Sequence, residues 1–299
     1  MNLRILLVLL ALAALSQCDF LTRQENENRL RTCGYKKPHH KILNGVRVNQ
    51  SVAPWALELT ECTGTLISSR HAITATHCFS RLTHNGWDIV VKNRNRGGCA
   101  NGHFFITDPV FLSRFQVKSD KKVVAKMKMV TLLNVCLEKR IPANLGASQV
   151  FEDVAVIDFE KDVQMSETLW SACVAPPGPS VPVGLDLHYF GFGHDPINLP
   201  NVFGILRYEH TRTVPPTLPV ESHYFFANDP RHFTIACPGD SGGGAIDDKA
   251  TIIGVLSQTT CDHFVATHAI DSEIYSSVAY YANYLCNIWG ICEGGRYPV

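Results

Sequence analysis

The chain has 299 residues, with 27 basic and 27 acidic side chains, so its formal net charge is zero. This balance argues against nucleic acid or an anionic membrane surface as a partner, because both attract proteins with an excess of basic residues. With 45% hydrophobic and 18% charged residues, the composition is typical of a globular protein that can bury a core.

Residues 1–18 have the pattern of a secretory signal peptide. Arg4 precedes an uninterrupted apolar run at 5–15. A membrane-spanning helix needs about 20 residues, so this run is too short to cross a bilayer. Ser16 and Cys18 suit the −3 and −1 positions of a cleavage site. We therefore predict a secreted, extracellular protein with no membrane association.

The number of cysteines agrees with cleavage at this point. The chain contains 11 cysteines, and removal of Cys18 leaves ten, enough for five disulfide bonds in an oxidising compartment. Zinc binding is the alternative, but no Cys-x-x-Cys pair occurs and Cys286 and Cys292 are too far apart for one. We predict no metal site and no cofactor.

The chain changes character after its first segment. Residues 19–41 are polar and charged, and they contain too few apolar side chains to form a core of their own. From residue 42 to about 275, short apolar runs are separated by Gly, Pro, Asn and Asp. Many short strands with turn residues between them are typical of an all-β barrel or sandwich.

Only the end of the chain has a helical pattern. Val278, Tyr281, Leu285 and Ile288 recur at spacings of three and four residues, and Gly290 follows as a stop signal. These residues predict a C-terminal α-helix.

Two further patterns concern the surface. In the basic run 114–129, Lys126 and Lys128 alternate with methionines, which predicts a strand with one solvated face in preference to a heparin-type anion site. Asn49 begins Asn-Gln-Ser, the only N-glycosylation sequence in the chain with a permitted middle residue.

Three residues have the chemistry of nucleophilic catalysis. His77 follows a β-type run, Asp153 begins an apolar strand, and Ser241 lies in Gly-Asp-Ser-Gly-Gly-Gly. A serine hydroxyl needs a base with a near-neutral pKa, which is histidine, and a buried carboxylate to orient that base. Glycines around the serine let backbone N–H groups converge on an oxyanion.

The same glycine-rich stretch also fits Gly-x-Ser-x-Gly, the nucleophile elbow of α/β-hydrolases. In those enzymes the order along the chain is serine, acid, histidine. Here the order is His77, Asp153, Ser241, and the residues after Ser241 have the pattern of strands. An α/β-hydrolase is therefore disfavoured.

Several motifs occur together in one order, and with them the chain from Ile42 onward resembles the trypsin/chymotrypsin-type serine proteases. The motifs are ILNG (42–45), APWAL (53–57), CTGTLISSRHAITATHC (62–78), DVAVI (153–157), GFG (191–193), CPGDSGGG (237–244) and GVLS (254–257). The resemblance implies two six-stranded antiparallel β-barrels with the site between them and a C-terminal helix. Departures from the family pattern favour a divergent, nematode-type branch.

The resemblance also implies a role for each residue of the site. His77 is the general base and then the acid, Asp153 orients it, and Ser241 attacks the peptide carbonyl. The N–H groups of Gly239 and Ser241 form the oxyanion hole, and Ser257 hydrogen-bonds the aspartate. The expected partners are protein or peptide substrates and proteinaceous inhibitors, and the expected state is a monomer.

Residues 19–41 then resemble a propeptide before a protease domain at 42–299. Cleavage between Lys41 and Ile42 by another protease would create a new ammonium group that pairs with Asp240, beside the nucleophile. The expected product is a secreted endopeptidase made as a zymogen.

The resemblance implies a set of disulfide bonds. Cys62–Cys78 would close the histidine loop, Cys237–Cys261 would border the specificity pocket, and Cys33–Cys173 would hold the propeptide. The pairing of the remaining four cysteines stays open, with Cys99–Cys136 and Cys286–Cys292 as the working assignment.

The specificity pocket departs from trypsin. Ile235 stands six residues before Ser241, where trypsin-like specificity requires an aspartate, and Thr259 would narrow the pocket mouth. Both favour an apolar side chain at P1, the residue before the cleaved bond. Glu273, however, aligns with another wall position and would admit a basic side chain, unless a longer preceding loop leaves it in solvent. The alternatives stay open.

A catalytically silent homologue is the second functional hypothesis. Such a protein would bind a partner through the same cleft. The presence of His77, Asp153, Ser241 and Asp240 favours an active enzyme.

Overall fold

The computed structural model describes residues 20–34, 46–83, 86–88, 97–137, 152–178, 180–195, 202–216, 223–231, 234–261 and 272–294. The signal peptide expected at 1–18 and the cleavage site expected at Lys41 and Ile42 lie outside these ranges. Within them the chain is mostly β with a C-terminal helix, so the all-β prediction is confirmed.

Most strands of the first half form one antiparallel sheet. The described strands of this half are β1 (Val46–Arg47), β2 (Ala56–Leu59), β3 (Cys62–Leu66), β4 (His71–Thr74), β5 (Leu82–Thr83), β6 (Gly86–Trp87), β7 (Gly97–Ala100), β8 (His103–Ile106), β9 (Val117–Ser119), β10 (Lys122–Ala125), β11 (Met127–Leu132) and β12 (Ala155–Phe159). Nine of them pair in the order β10-β9-β2-β3-β4-β12-β11-β8-β7. Strands β3, β4 and β12 at its centre are buried along their whole length.

The second half closes into a barrel. Its strands are β13 (Cys173–Val174), β14 (Asp186–Gly191), β15 (Arg207–Val214), β16 (Tyr224–Asn228), β17 (Gly244–Ile246), β18 (Thr251–Gln258) and β19 (Glu273–Ser277). The antiparallel order β15-β14-β17-β18-β19-β16 returns to β15, because β15 also pairs with β16. Closure of these six strands leaves no open edge within the ring. Strand β1 adds to β15, and β13 adds to β18 in parallel.

Within the described ranges, three α-helices accompany the sheets: α1 (Arg23–Thr32), the short α2 (Pro109–Leu112) and α3 (Val278–Trp289). Helix α3 is the predicted C-terminal helix. It buries Val278, Tyr281, Leu285 and Trp289 in the largest hydrophobic cluster, which contains side chains from both halves of the chain. The helix ends at Gly290, whose φ of 68° lies in the left-handed region that glycine tolerates. None of the described helices has the length and apolar character needed to span a bilayer.

Helix α1 lies in the segment whose polar composition gave no structural prediction. Thr22 and Glu25 form a capping box at its start. Leu21, only 3% exposed, inserts into the largest hydrophobic cluster, and its N–H donates to the carbonyl of Trp289 over 2.8 Å. Arg29 Nη2 lies 2.6 Å from Glu293 Oε1. Contacts with distant parts of the chain, rather than a core of its own, therefore hold helix α1 in place.

Five disulfide bonds cross-link the described chain. They are Cys33–Cys173, Cys62–Cys78, Cys99–Cys136, Cys237–Cys261 and Cys286–Cys292. A disulfide typically stabilises a fold by about 2–4 kcal/mol. The first of them ties the segment after α1 to β13, 140 residues along the chain.

Candidate active site

The pairing of β4 with β12 positions His77 and Asp153. His77 lies in a 3₁₀ turn just after β4, Asp153 lies just before β12, and Thr74 is opposite Ala155 in the ladder. His77 Nδ1 is 2.7 Å from Asp153 Oδ2, and the backbone N–H of His77 donates to Asp153 Oδ1 over 2.9 Å. The carboxylate therefore fixes both the ring and the backbone of the histidine.

Asp153 is buried and kept ionised. Burial alone would raise its pKa, but the attraction of His77 and the hydrogen bonds from His77 and Ser257 outweigh burial and lower the pKa. Ser257 Oγ donates to Asp153 Oδ2 over 2.7 Å. Burial likewise would lower the pKa of His77, but the charge and hydrogen bond of Asp153 raise it. A histidine held in this way is suited to accept a proton near neutral pH.

Ser241 lies in the loop before β17, and that loop is locked onto β3. The N–H of Thr63 donates to the carbonyl of Ser241 over 2.9 Å, and Thr63 Oγ1 donates to the carbonyl of Gly239 over 2.9 Å. A side chain at Gly242 would overlap Thr74, and its φ of 83° also requires glycine. Ser241 and His77 line the same cleft, with an empty volume of about 780 Å³.

The backbone N–H groups around Ser241 fall into two sets. Those of Asp240, Gly242 and Gly243 donate to the carbonyls of Cys237, Leu256 and Asp240. Those of Gly239 and Ser241 make no backbone hydrogen bond within the described part of the chain. An oxyanion hole requires N–H donors that are free in this way.

Asp240 is buried against the Gly-Phe-Gly motif. Its carboxylate accepts hydrogen bonds from the N–H of Gly193 over 2.7 Å and of Cys237 over 2.9 Å. A Cβ atom at Gly193 would lie 2.5 Å from the Asp240 carboxyl, and one at Gly191 would overlap it. Burial raises the pKa of Asp240 to about 6, although both hydrogen bonds oppose the rise.

The residues expected in the specificity pocket meet around Ala236. Its N–H donates to Glu273 Oε1 over 2.6 Å, and its carbonyl accepts from Thr259 Oγ1. Ile235, immediately before it, is partly buried. Glu273 is only 1% exposed and also accepts from Tyr275 Oη over 2.6 Å. The alternative in which Glu273 is solvated is therefore wrong.

Glu273 has other buried acids as neighbours, which sequence reasoning missed. Asp229 accepts from the N–H and hydroxyl of Thr234, and Glu209 lies on β15. Burial raises the pKa of Glu273 to about 7 against the hydrogen bonds of Tyr275 and Ala236, and repulsion from acids including Asp229 adds to the rise. Burial also raises the pKa of Glu209. In sequence, Glu209 has the polar alternation of a solvated strand and Asp229 lies in Asn-Asp-Pro, the pattern of an exposed turn, so no local signal marked either acid as buried.

A second hollow lies on the other side of His77. It has an empty volume of about 420 Å³ and contains Asp153, Ser257 and Gln258 together with Leu82, Trp87 and Tyr224. The last three side chains come from parts of the chain that carried no motif. They add an apolar wall beside the imidazole.

One close group of possible metal ligands occurs in the described residues, namely Cys62, His77 and Cys78. The two cysteines are joined by a disulfide bond and cannot act as thiolate ligands. The group therefore does not fit a metal. Asn49, the candidate glycosylation residue, is exposed on the surface.

Comparisons with known proteins agree with this arrangement. A family model described as the nematode trypsin-6-like family matches residues 3–292. Tissue-type plasminogen activator of Rattus norvegicus is 23% identical over an alignment of 262 residues, which covers 76% of this chain and 42% of that protein. Phenoloxidase-activating factor 1 of Holotrichia diomphalia is 26% identical over an alignment of 174 residues, which covers 54% of this chain and 44% of that protein. The chain thus matches less than half the length of either curated relative.

Proposed function

The chain belongs to the nematode trypsin-6-like family, and from that premise we propose that it is a secreted serine endopeptidase made as a zymogen. Its relatives are serine proteases, which supports a hydrolase. The observation that carries the proposal is the array His77–Asp153–Ser257, which opens onto the same cleft as Ser241. Five disulfide bonds fit an extracellular protein.

The reaction follows from these groups. Ser241 Oγ attacks the peptide carbonyl carbon while His77 Nε2 takes its proton, and the N–H groups of Gly239 and Ser241 stabilise the oxyanion. His77 then gives the proton to the leaving amine, which leaves an ester on Ser241. Water, deprotonated by His77, hydrolyses this ester. Asp153 stabilises the imidazolium in both halves of the reaction.

The preferred P1 residue is basic in this proposal. The carboxylate of Glu273 lies beside the Ile235–Ala236 segment, and no cation within the described ranges pairs with it. An arginine or lysine side chain in the pocket would supply the missing positive charge.

Activation depends on Asp240. Burial of its carboxylate raises its pKa, and a nearby cation would stabilise the ionised form. Cleavage after Lys41 by an activating protease would create the ammonium group of Ile42, which would fill that role. Cys33–Cys173 would keep the propeptide attached after cleavage. Proteinaceous inhibitors would bind the same cleft as substrates.

Labelling with a fluorophosphonate before and after cleavage at Lys41 tests the proposal, with Ser241→Ala as the control. Labelling only after cleavage, and none of Ser241→Ala, would support the activated serine and the zymogen together. Folded, correctly cleaved protein that does not label would contradict the enzyme and favour a silent homologue that binds a partner in the cleft.

A further inference from the structure

A groove leads away from Ser241 that the proposed chemistry does not use. It has an empty volume of about 1020 Å³ and shares Glu61, Cys62, Phe203 and Gly239 with the cleft at Ser241. The pocket residues Ile235 and Glu273 do not line it. If the P1 side chain occupies that pocket, the groove is the path for the peptide that follows the cleaved bond.

Glu61 lies where the cleft and the groove join. It is the second residue of a two-residue turn between β2 and β3. Its φ of 65° is in the left-handed region, which costs a residue other than glycine energy. The side chain is exposed. The strained turn therefore keeps a carboxylate at the mouth of the groove.

The far end of the groove carries the opposite charge. Arg114 is exposed and makes no ion pair with any other described residue, whereas Lys118 pairs with Glu58 over 3.4 Å. Thr60 links the backbone at Arg114 to the β2–β3 turn, because its hydroxyl donates to the carbonyl of Arg114 over 3.4 Å and accepts from the N–H of Gln116 over 3.1 Å. Charge along the groove thus changes from negative at Glu61 to positive at Arg114.

Phe203 forms an apolar side of the groove. It is 61% exposed, and its ring lies 5.1 Å from the ring of His194. A substrate backbone that runs between Phe203 and the β2–β3 turn would therefore meet Glu61 first and Arg114 afterwards.

We propose that Glu61 and Arg114 select the substrate residues on the leaving-group side, with a basic side chain next to the cleaved bond and an acidic side chain beyond it. This inference rests on the proposed protease function and specifies its substrate class. Both contacts are exposed ion pairs, so each adds about two- to fivefold to the preference.

Acyl transfer measures this selection separately from the specificity pocket, because the acyl group in that pocket stays the same while the attacking amine is varied. An added amine attacks the acyl carbon of the ester on Ser241, and the bond from that carbon to Oγ breaks. His77 takes the proton from the amine and returns it to Ser241 Oγ. The fraction of acyl-enzyme captured by the amine, relative to water, then reports how well the groove binds it.

The experiment uses the cleaved full chain, an arginine ester as acyl donor, and the amides Arg-Glu-NH₂ and Glu-Arg-NH₂ as competing amines. We expect Arg-Glu-NH₂ to be captured about fivefold or more in excess for the two pairs together. Glu61→Gln should remove the preference for arginine at the first position, and Arg114→Gln the preference for glutamate at the second. Glu160→Gln, an exposed acid outside the groove, should change neither.

Capture is measured relative to hydrolysis of the same acyl-enzyme, so it does not depend on how fast each variant acylates, and formation of the acyl-enzyme shows that each variant folds. Equal capture of the two amides by the unsubstituted enzyme, or an unchanged preference in Glu61→Gln, would overturn the inference while the protease function stands. Absence of any acyl-enzyme would overturn the proposed function and the inference with it.

Discussion

The carboxylate of Glu273 accepts a 2.6 Å hydrogen bond from the backbone N–H of Ala236, the residue that follows the pocket position Ile235. This contact joins two parts of the chain 37 residues apart. It fixes a buried acid against the segment that leads to the nucleophile. In the proposed function, the charge of that acid sets which side chain the pocket accepts, and this is open to test.

The first prediction concerns that charge. Burial raises the pKa of Glu273 to about 7, so the carboxylate ionises as pH rises through that value. We expect the ratio of kcat/KM for a P1-arginine ester to that for a P1-leucine ester to rise across the same range. The ratio cancels the titration of His77, which affects both substrates.

Glu273→Gln should lower kcat/KM for the arginine ester at least about tenfold, remove the pH dependence of the ratio, and spare the leucine ester. Other acids near the pocket, namely Glu209, Asp229 and Asp240, remain in this variant and serve as an internal control. An equal loss for both esters would indicate a structural role instead.

The second prediction concerns the acid limb of the pH profile. The charge of Asp153 raises the pKa of His77. Because His77 acts as a base only when it is neutral, activity should increase as pH rises through the pKa of His77. Asp153→Asn should move the midpoint to lower pH and reduce kcat by about 10⁴. Ser257→Ala should have a smaller effect in the same direction.

The matched control is Ser276→Ala. Ser276 Oγ donates to the backbone carbonyl of Asp153 over 3.4 Å rather than to its carboxylate, so its loss should leave the midpoint unchanged. Steady-state kinetics between pH 5 and 9 on the cleaved protein provide the comparison. The interpretation fails if Asp153→Asn keeps the midpoint of the parent enzyme.

The third prediction links Asp240 to the stability of the uncleaved chain. Its pKa is raised from 3.8 to about 6, so the folded state binds the proton more tightly than the unfolded state. The stability that the protonated Asp240 contributes to the folded state is complete below pH 3.8 and is lost as pH rises through about 6. At about 1.4 kcal/mol per pKa unit, the loss is about 3 kcal/mol.

Urea unfolding of uncleaved Ser241→Ala protein between pH 4 and 8 measures this loss. Asp240→Asn in the same background should remove it and should be the more stable variant at pH 8. Cleavage after Lys41 should restore stability at pH 8 in the parent, because the ammonium of Ile42 would favour the ionised carboxylate. An identical pH dependence with and without Asp240 would contradict this prediction.

The sequence predicted the features that depend on local pattern or on ordered motifs. Alternating apolar runs gave the all-β class, and the three- and four-residue spacing after Ser277 gave helix α3. It did not reveal the buried acids Glu209 and Asp229, because Glu209 lies in a strand with the polar content of a surface strand and Asp229 lies in Asn-Asp-Pro, which has the pattern of an exposed turn. Nor did it predict helix α1, which is held by residues distant in sequence, among them Cys292 and Glu293 more than 250 positions away.

The last prediction uses that distant contact. Arg29 has a side chain that is 4% exposed, and it pairs with Glu293 while its Nε donates to Asn26 Oδ1 over 2.8 Å. Removal of one partner leaves a buried charge without compensation, which typically costs about 3–5 kcal/mol. We therefore expect Arg29→Met and Glu293→Gln each to lower the free energy of unfolding by about that amount.

Helix α1 provides its own control, because Arg23 and Glu27 form an exposed pair 3.0 Å apart on the same helix. Loss of an exposed pair of this kind costs only about 0.3–0.5 kcal/mol, so Arg23→Met should be nearly neutral. The double variant Arg29→Met/Glu293→Met should be more stable than either single buried variant, since no unpaired charge remains. Chemical denaturation of the intact chain measures the free energy of unfolding of each variant and so compares the buried pair with the exposed pair. If Arg29→Met were as mild as Arg23→Met, the docking of α1 would rest on its other contacts, among them Leu21, the hydrogen bond from Asn26 to the carbonyl of Cys292 over 2.8 Å, and the Cys33–Cys173 bond.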